Sequence, residues 1–128
     1  MPNNASDYLE NRLVDHSLGT TAFVKPTAVF IALFTVTPTD VAASGTEVTG
    51  GSYARQAAAF AAAAGGSAAL TAAVTFPSAT ADWGTVVAVG IFDAATVGNM
   101  LWWGPLTANR TVSLGTTYTQ SALTVAID

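Results

Sequence analysis

The first part of the chain has the hydrophobic spacing of a helix. Between residues 4 and 18, apolar side chains recur four positions apart, which predicts a helix with one apolar stripe. The stripe comprises Leu9, Leu13, Val14 and Leu18. Asn4 is placed to cap the N-terminus of this helix, Asp7 lies in an acidic first turn, and Gly19 suits the C-terminal end.

Beyond residue 19 the pattern changes to that of β-strands. Residues 27–36 are rich in branched and aromatic side chains and end at the turn Thr-Pro-Thr-Asp, which predicts a strand. Residues 40–51 have the composition of a surface loop. Further strands are predicted at about 85–93, 99–104 and 110–127, separated by the segments ATVGN and PLTAN.

The alanine-rich stretch at residues 52–77 has conflicting signals. Of the seventeen residues from 57 to 73, eleven are alanine, and alanine by itself favours a helix. The sequence Gly65-Gly66-Ser67 interrupts the stretch, and both ends have strand-like composition. We therefore predict two strands joined by a long hairpin loop.

The strand at 85–93 is apolar on both alternating sets of positions, which is unusual for a strand with one face in water. We expect one face to pack on a second sheet and the other to lie under the helix or a neighbouring subunit. Together these patterns predict a mainly β fold, an antiparallel β-sandwich (jelly-roll-like or Ig-like) with one N-terminal α-helix. Residues 1–19 form the arm and helix, and residues 20–128 form the sandwich of a single domain.

The chain carries little charge. Only 9% of its 128 residues are charged and 51% are hydrophobic, against roughly 25% charged in typical soluble proteins. Much of this apolar surface is expected to lie against other protein chains. The net charge of −4 and the scattered basic residues argue against a nucleic-acid partner.

The sequence shows neither disulfides nor a targeting segment. It has no cysteine, and its first residues have no basic region followed by an apolar one, so we expect no signal peptide. Residues 56–81 are uncharged and long enough to cross a membrane. Because Gly65, Gly66 and Pro77 interrupt them and alanine inserts weakly, no membrane span is expected.

No residue pattern indicates catalysis. His16 is the single histidine and has no motif around it, so an ordinary surface or packing role is favoured over catalysis. Asp40 and Glu47 lie in one predicted loop, but their spacing matches no EF-hand calcium loop. We expect a protein that is not an enzyme, with no catalytic residue, no metal site and no cofactor.

The aromatic residues are more informative. Trp102 and Trp103 are adjacent in a predicted strand, so they must point to opposite faces. Arg55 is the single charge between Glu47 and Asp82, and it either projects into solvent or is buried with a partner such as Asp82 or Asp93. The residues expected at subunit interfaces are Leu9, Leu13, Tyr53, Arg55, Trp83, Trp102 and Trp103.

The order of several short segments resembles a family of small bacteriophage virion structural proteins, often labelled phage tail fibre proteins. The segments are SYARQ at 52–56, ADWGT at 81–85, GIFDA at 90–94 and LWWG at 101–104. The resemblance extends over roughly residues 8–127, and the alanine-rich stretch at 57–73 departs most from it. It implies a virion component without enzymatic activity. The low charge, the absence of cysteine and the expected lack of a signal peptide fit assembly in the bacterial host cytoplasm.

The family resemblance leaves the place in the virion open. The chain has no heptad run, β-helix repeat or collagen-like stretch, so it lacks the long axis of a fibre. This favours a capsid cement or decoration protein. By analogy with such proteins we expect a trimer, whose partners are copies of itself and the major capsid protein or other virion proteins. The alternative is a tail fibre, tail tip or baseplate component that binds a host-surface receptor. A fragment of a carbohydrate-active enzyme is disfavoured because no suitable carboxylate pair is present.

Overall fold

The computed structural model of the chain describes residues 4–41 and 44–127. In these ranges the chain is mainly β, with a single helix, α1, at Asp7–Ser17. The described strands are β1 (Asn4–Ala5), β2 (Val29–Val36), β3 (Thr46–Glu47), β4 (Gln56–Ala58), β5 (Ser67–Ala69), β6 (Val74–Thr75), β7 (Gly84–Phe92), β8 (Met100–Val112), β9 (Thr119–Gln120) and β10 (Thr124–Ala126). All pairings between them are antiparallel. The predicted mainly β, antiparallel fold with one N-terminal helix is confirmed.

One large sheet carries the fold. Its strand order in the described chain is β1-β8-β7-β2-β3, and β4 pairs with β2 beside β3. Two short two-stranded sheets, β5 with β10 and β6 with β9, supply side chains to a second layer. The core between the layers combines side chains of the large sheet, such as Ile31 and Val89, with side chains such as Phe76 and Leu123 from the second layer.

The opposite face of β7 is covered by the chain itself. Ala88 and Phe92 on this face are buried together with Phe34 and Met100, and the Arg55 guanidinium lies over the Phe92 ring at 3.7 Å from its centroid. These side chains are already buried in a single copy, so this face is covered without a neighbouring subunit. The other expected cover, the helix, lies on the side of Ile91, where Leu9 and Ile91 line the same cleft. The low polarity of β7 therefore reflects burial on both faces within one chain.

Helix α1 begins later than predicted. Its N-cap is Ser6, whose hydroxyl accepts a hydrogen bond from the Leu9 N–H at 3.2 Å and donates one to the Met100 carbonyl. Asn4, the predicted cap, instead lies in β1 and pairs with Trp103. Of the apolar stripe, Leu9 is buried, whereas Val14 and Leu18 are exposed. The helix thus packs through its first turn, and Gly19 follows its end with a positive φ of 77°.

The alanine-rich stretch is not helical. Ala64 and Ser67 pair across a tight turn at Gly65 and Gly66, and Phe60 pairs with Leu70 further from the turn. Both glycines have positive φ, 60° and 80°, which is the backbone of a tight hairpin turn that alanine does not favour. The prediction of extended chain rather than a helix is confirmed, but the predicted long loop is wrong, because the chain turns tightly at Gly65 and Gly66. The segment also contributes β5, which pairs with β10. No helix in the described residues is long and apolar enough to cross a membrane.

The strands predicted at 99–104 and 110–127 need two corrections. Strand β8 continues through the segment PLTAN, which was predicted to separate two strands. The register of β8 against β7 nevertheless breaks there, because Ala88 pairs with Pro105 and Val86 with Arg110, leaving residues 106–109 opposite Val87 alone. Residues 110–127 do not form one strand, since β8 ends at Val112 and the short strands β9 and β10 follow.

Candidate functional site

The surface has an apolar cleft of about 300 Å³. It lies between α1, the segment that follows the helix, the 60–68 hairpin and the large sheet. None of the described residues that line it carries a charge. Side chains that define this apolar cleft are Leu9, Phe23, Pro26, Phe60, Trp102 and Ile127. Such a surface excludes water and suits an apolar partner rather than a polar substrate.

One wall of the apolar cleft depends on a contact with His16. The Nδ1 atom of His16 accepts a hydrogen bond from the Phe23 N–H at 3.0 Å. The bond anchors the segment after the helix, which brings Phe23 and Pro26 to the cleft. His16 therefore has a positioning role at the surface.

Two of the predicted interface residues contribute to the apolar cleft. Leu9 and Trp102 line it, and Trp102 pairs in register with Ile91 on the same face of the large sheet. Leu13 is half-buried one helical turn beyond Leu9. Hence the structure brings Leu9 and Trp102 together, while Leu13 lies on the same helix outside the cleft lining.

Tyr53 and Trp83 lie in the core, away from the cleft. Their rings meet edge to face at 5.4 Å between centroids, and both pack on Phe76. The Trp83 Nε1–H donates to the Gly51 carbonyl at 2.9 Å, and only 5% of this residue is exposed. These contacts leave Trp83 little surface with which to touch another subunit.

Tyr53 also links the core to a buried ion pair. Its hydroxyl donates to Glu47 Oε2 at 2.6 Å and accepts from the Leu33 N–H at 3.0 Å. Burial raises the pKa of Tyr53, the hydrogen bond to the Glu47 carboxylate raises it further, and the Leu33 N–H acts in the opposite direction. Tyr53 is consequently a neutral donor throughout the physiological pH range.

Arg55 is buried, and its partner is Glu47. The side chain of Arg55 is 8% exposed and forms a two-point pair with Glu47, at 2.8 Å from Nη2 to Oε1 and 2.9 Å from Nε to Oε2. The predicted partners Asp82 and Asp93 are engaged elsewhere, since Asp82 accepts from the Leu114 N–H and Asp93 from the Asn99 N–H. The alternative of a solvent-exposed arginine is wrong as well.

Arg55 also fixes the loop between β7 and β8. Its Nη1 donates to the carbonyls of Ala94 at 3.0 Å and Val97 at 2.7 Å. The loop is closed at its base by Asp93, which accepts hydrogen bonds from the backbone N–H and the side-chain amide of Asn99. At its tip Val97 has a φ of 56° and is 84% exposed. We call residues 94–98 the Val97 loop.

Trp103 lies on the face of the sheet opposite Trp102, as predicted from strand alternation. It is half-buried, and its Nε1–H donates to Asp40 Oδ1 at 3.0 Å. This bond ties the segment after β2 to the large sheet. Asp40 and Glu47, weighed as calcium ligands, have these separate partners, and no group of three metal-ligating side chains is found in the described residues.

Sequence reasoning missed three residues that shape these surfaces. Glu47 was placed in a loop because the strand that carries it, β3, has two residues. Phe23 carries no periodic signal, since it lies in an irregular segment. Val97 is unremarkable in sequence, and its left-handed backbone appears only in the folded loop.

Comparisons with known proteins identify the family. No curated protein matches the chain. A family model described as podophage GP4 fiber I protein gp80 matches residues 4–128, which is nearly the whole sequence. This match confirms the resemblance to phage virion proteins labelled as fibre proteins, and the family description implies a virion component. The chain belongs to the family of the podophage GP4 fiber I protein gp80.

Proposed function

We propose that this protein is a non-enzymatic structural subunit of a virion fibre, which acts by binding other protein chains through apolar surface. The observation that carries the proposal is the apolar cleft, whose described lining has no charged side chain. Burying such a surface against a partner releases water and stabilises an assembly at ~25 cal/mol per Å² of apolar area.

The low charge of the whole chain supports the same proposal. Only 9% of the residues are charged, and large apolar side chains such as Val24 and Leu18 stand exposed. Surfaces of this kind are typical of subunits that are buried in an assembly. We propose that the partners include other copies of this chain, in a homotrimer, and neighbouring virion proteins.

Localisation in purified particles tests the fibre proposal. Electron cryo-microscopy of the virion, with the folded chain fitted to the density, should place copies on appendages of the tail. Quantitative mass spectrometry should give far fewer copies than of the major capsid protein. Copies spread over the capsid shell in numbers close to those of the major capsid protein would contradict the proposal.

A capsid cement or decoration protein is the second candidate, and the compact two-layer fold favours it. No long helix or repeated β-element extends the described chain along one axis, so elongation has to come from the stacking of copies. A cement subunit would instead bind between neighbouring capsid proteins and stabilise the shell. Removal of the protein should then lower the temperature at which filled capsids release DNA, whereas loss of a fibre subunit should leave that temperature unchanged.

A further inference from the structure

The Val97 loop holds an apolar side chain in an unfavourable conformation. Val97 has a φ of 56°, which is the left-handed region that β-branched residues rarely adopt. The side chain gains no burial in return, because 84% of the residue is exposed. Strained residues of this kind persist only where the surroundings fix them, and they concentrate at binding sites.

Side chains around the Val97 loop hold its backbone in place through hydrogen bonds. The buried Arg55 guanidinium binds the Ala94 and Val97 carbonyls, and the Asp93 carboxylate closes the base of the loop through Asn99. Gly98 is also required there, because a Cβ at this position would lie 2.6 Å from Asp93 Oδ1. A loop fixed in this way loses little conformational entropy when it binds.

The Val97 loop and the apolar cleft lie on opposite faces of the large sheet. Ile91 lines the cleft, whereas the next residue, Phe92, lies under the Arg55 side chain that holds the loop. Successive residues of a strand point to opposite faces. A single copy therefore presents an apolar projection on one face and an apolar cleft on the other.

We propose that the Val97 loop of one copy inserts into the apolar cleft of a second copy, so that the copies associate head to tail. The inference rests on the proposed function, because it names a second copy as the partner of the cleft. The loop segment Ala-Ala-Thr-Val-Gly is uncharged, as is the described lining of the cleft. No charge would be buried without a partner in this contact.

The apolar cleft has room for an apolar side chain of a partner. Its volume of about 300 Å³ is well above the ~10–15 Å³ needed to hold one water molecule, so a branched aliphatic side chain such as that of valine fits. Because the two surfaces face in opposite directions, the contact is heterologous rather than two-fold symmetric. Heterologous contacts close into rings or continue as filaments, and either arrangement extends compact subunits into a larger assembly.

Pairwise cross-linking tests the contact directly, because the chain has no cysteine of its own. One variant carries Val97→Cys in the loop and another carries Ala63→Cys at the cleft. A short bis-maleimide should produce a cross-linked dimer only when the two variants are mixed. The double variant should produce a ladder of higher products or a closed ring.

Three results would overturn the inference. They are the absence of a dimer in the mixture, an equally strong dimer with Val97→Cys alone, and an equally strong dimer with Ala63→Cys alone. The last two would indicate a symmetric contact. None of them decides where the protein lies in the virion, so the fibre proposal is tested separately by localisation in particles.

A binding measurement with matched variants separates contact from folding. Asparagine tolerates the left-handed backbone, so Val97→Asn removes the apolar side chain without straining the loop. The affinity of self-association, measured by analytical ultracentrifugation, should fall at least tenfold. The control, Leu114→Asn, removes another exposed apolar side chain outside both surfaces and should change the affinity less than twofold. Equal losses in both variants, or no loss with Val97→Asn, would overturn the inference.

Discussion

A single buried cation connects three distant segments of the chain. Arg55 pairs with Glu47 of β3, lies over the ring of Phe92 at the end of β7 and binds two carbonyls of the Val97 loop. A planar guanidinium can do all of this at once, because it offers five donors and an apolar face. The conformation of the Val97 loop therefore depends on a residue that lies 39 positions before Ala94 and 42 before Val97 in the sequence.

Replacement of Arg55 by alanine should destabilise the fold strongly. The change leaves the partly buried Glu47 carboxylate without its cation, and breaking a buried pair in this way costs about 3 kcal/mol. Urea unfolding monitored by tryptophan fluorescence measures the loss. The matched control is Arg110→Ala, whose exposed side chain lies 5.4 Å from the Tyr118 ring centroid and should contribute less than about 0.5 kcal/mol. Similar losses for both variants would contradict the assigned role of Arg55.

Tyr53 should make the folded state sensitive to alkali. Burial and the Glu47 carboxylate raise its pKa in the folded state, whereas in the unfolded chain it ionises near its ordinary value of about 10. The unfolded state thus loses its proton first, and stability falls as the pH rises above about 10. Melting temperatures between pH 8 and 11 should fall less steeply for Tyr53→Phe than for the wild type.

Tyr118 is the comparison for the dependence of melting temperature on alkaline pH. Burial also raises its pKa, and the nearby Arg110 acts in the opposite direction, so Tyr118→Phe should remove part of the same alkaline slope. Tyr53 additionally donates a hydrogen bond to the Glu47 carboxylate, which raises its pKa further, so its substitution should have the larger effect. An unchanged slope in Tyr53→Phe would refute its part in this pH dependence.

At the scale of single residues, the sequence predicts which face of a sheet a side chain lies on better than it predicts which residue the side chain contacts. Strand alternation alone places Trp102 and Trp103 on opposite faces, and the structure agrees. The partner of Arg55 could not be identified in the same way. Glu47 reaches it because β3 and β4 both pair with β2, and this strand order follows from tertiary packing.

At the scale of elements, the start of α1 is fixed by one hydroxyl. Ser6 caps the helix through the Leu9 N–H and binds the Met100 carbonyl, so it joins the helix to β8. Ser6→Ala should lower the free energy of unfolding by about 1 kcal/mol, within the usual range of about 0.5–2 kcal/mol for a lost cap. Chemical denaturation checks this value.

The control for the capping prediction is Asn4→Ala. Asn4 was the cap expected from the sequence, but it lies in β1, where it pairs through its backbone with Trp103. This substitution should change stability by less than about 0.5 kcal/mol. A larger effect at Asn4 than at Ser6 would restore the sequence-based assignment.

The element boundaries were predictable where local chemistry decides them. Two adjacent glycines and strand-like ends favoured extended chain over a helix in the alanine-rich stretch, and the glycines have the positive φ angles of a tight turn. The segment PLTAN was wrongly predicted to separate two strands, because β8 passes through it and only its register against β7 breaks there. Short strands such as β9 and β10 form by pairing with distant segments, so their bounds carry little local signal.

At the scale of the whole molecule, the apolar surface should make thermal stability depend on concentration. An association that occurs only between folded copies stabilises the folded state by mass action. The melting temperature should therefore rise when the protein concentration is increased a hundredfold, as differential scanning calorimetry can measure. A melting temperature that is independent of concentration would contradict self-association of the isolated chain.

The whole-molecule assignment came from short segments rather than from composition. Composition predicted an interface-rich protein, whereas segments such as ADWGT and LWWG indicated the phage family that the match over residues 4–128 establishes. The structure explains why these segments are informative. They contain Trp83, Trp102 and Trp103, which pack at the two faces of the large sheet.

The register break between β7 and β8 has a consequence for engineering. Residues 106–109 lie opposite Val87 alone, while the ladder resumes on both sides with Pro105 and Arg110. The length of this segment is therefore not dictated by pairing, and Thr107, Ala108 and Asn109 are exposed. A foreign peptide inserted between Thr107 and Ala108 would leave both halves of the hairpin in register. In the virion, each copy would then carry that peptide, and the domain becomes a scaffold for presenting epitopes or affinity tags on the phage.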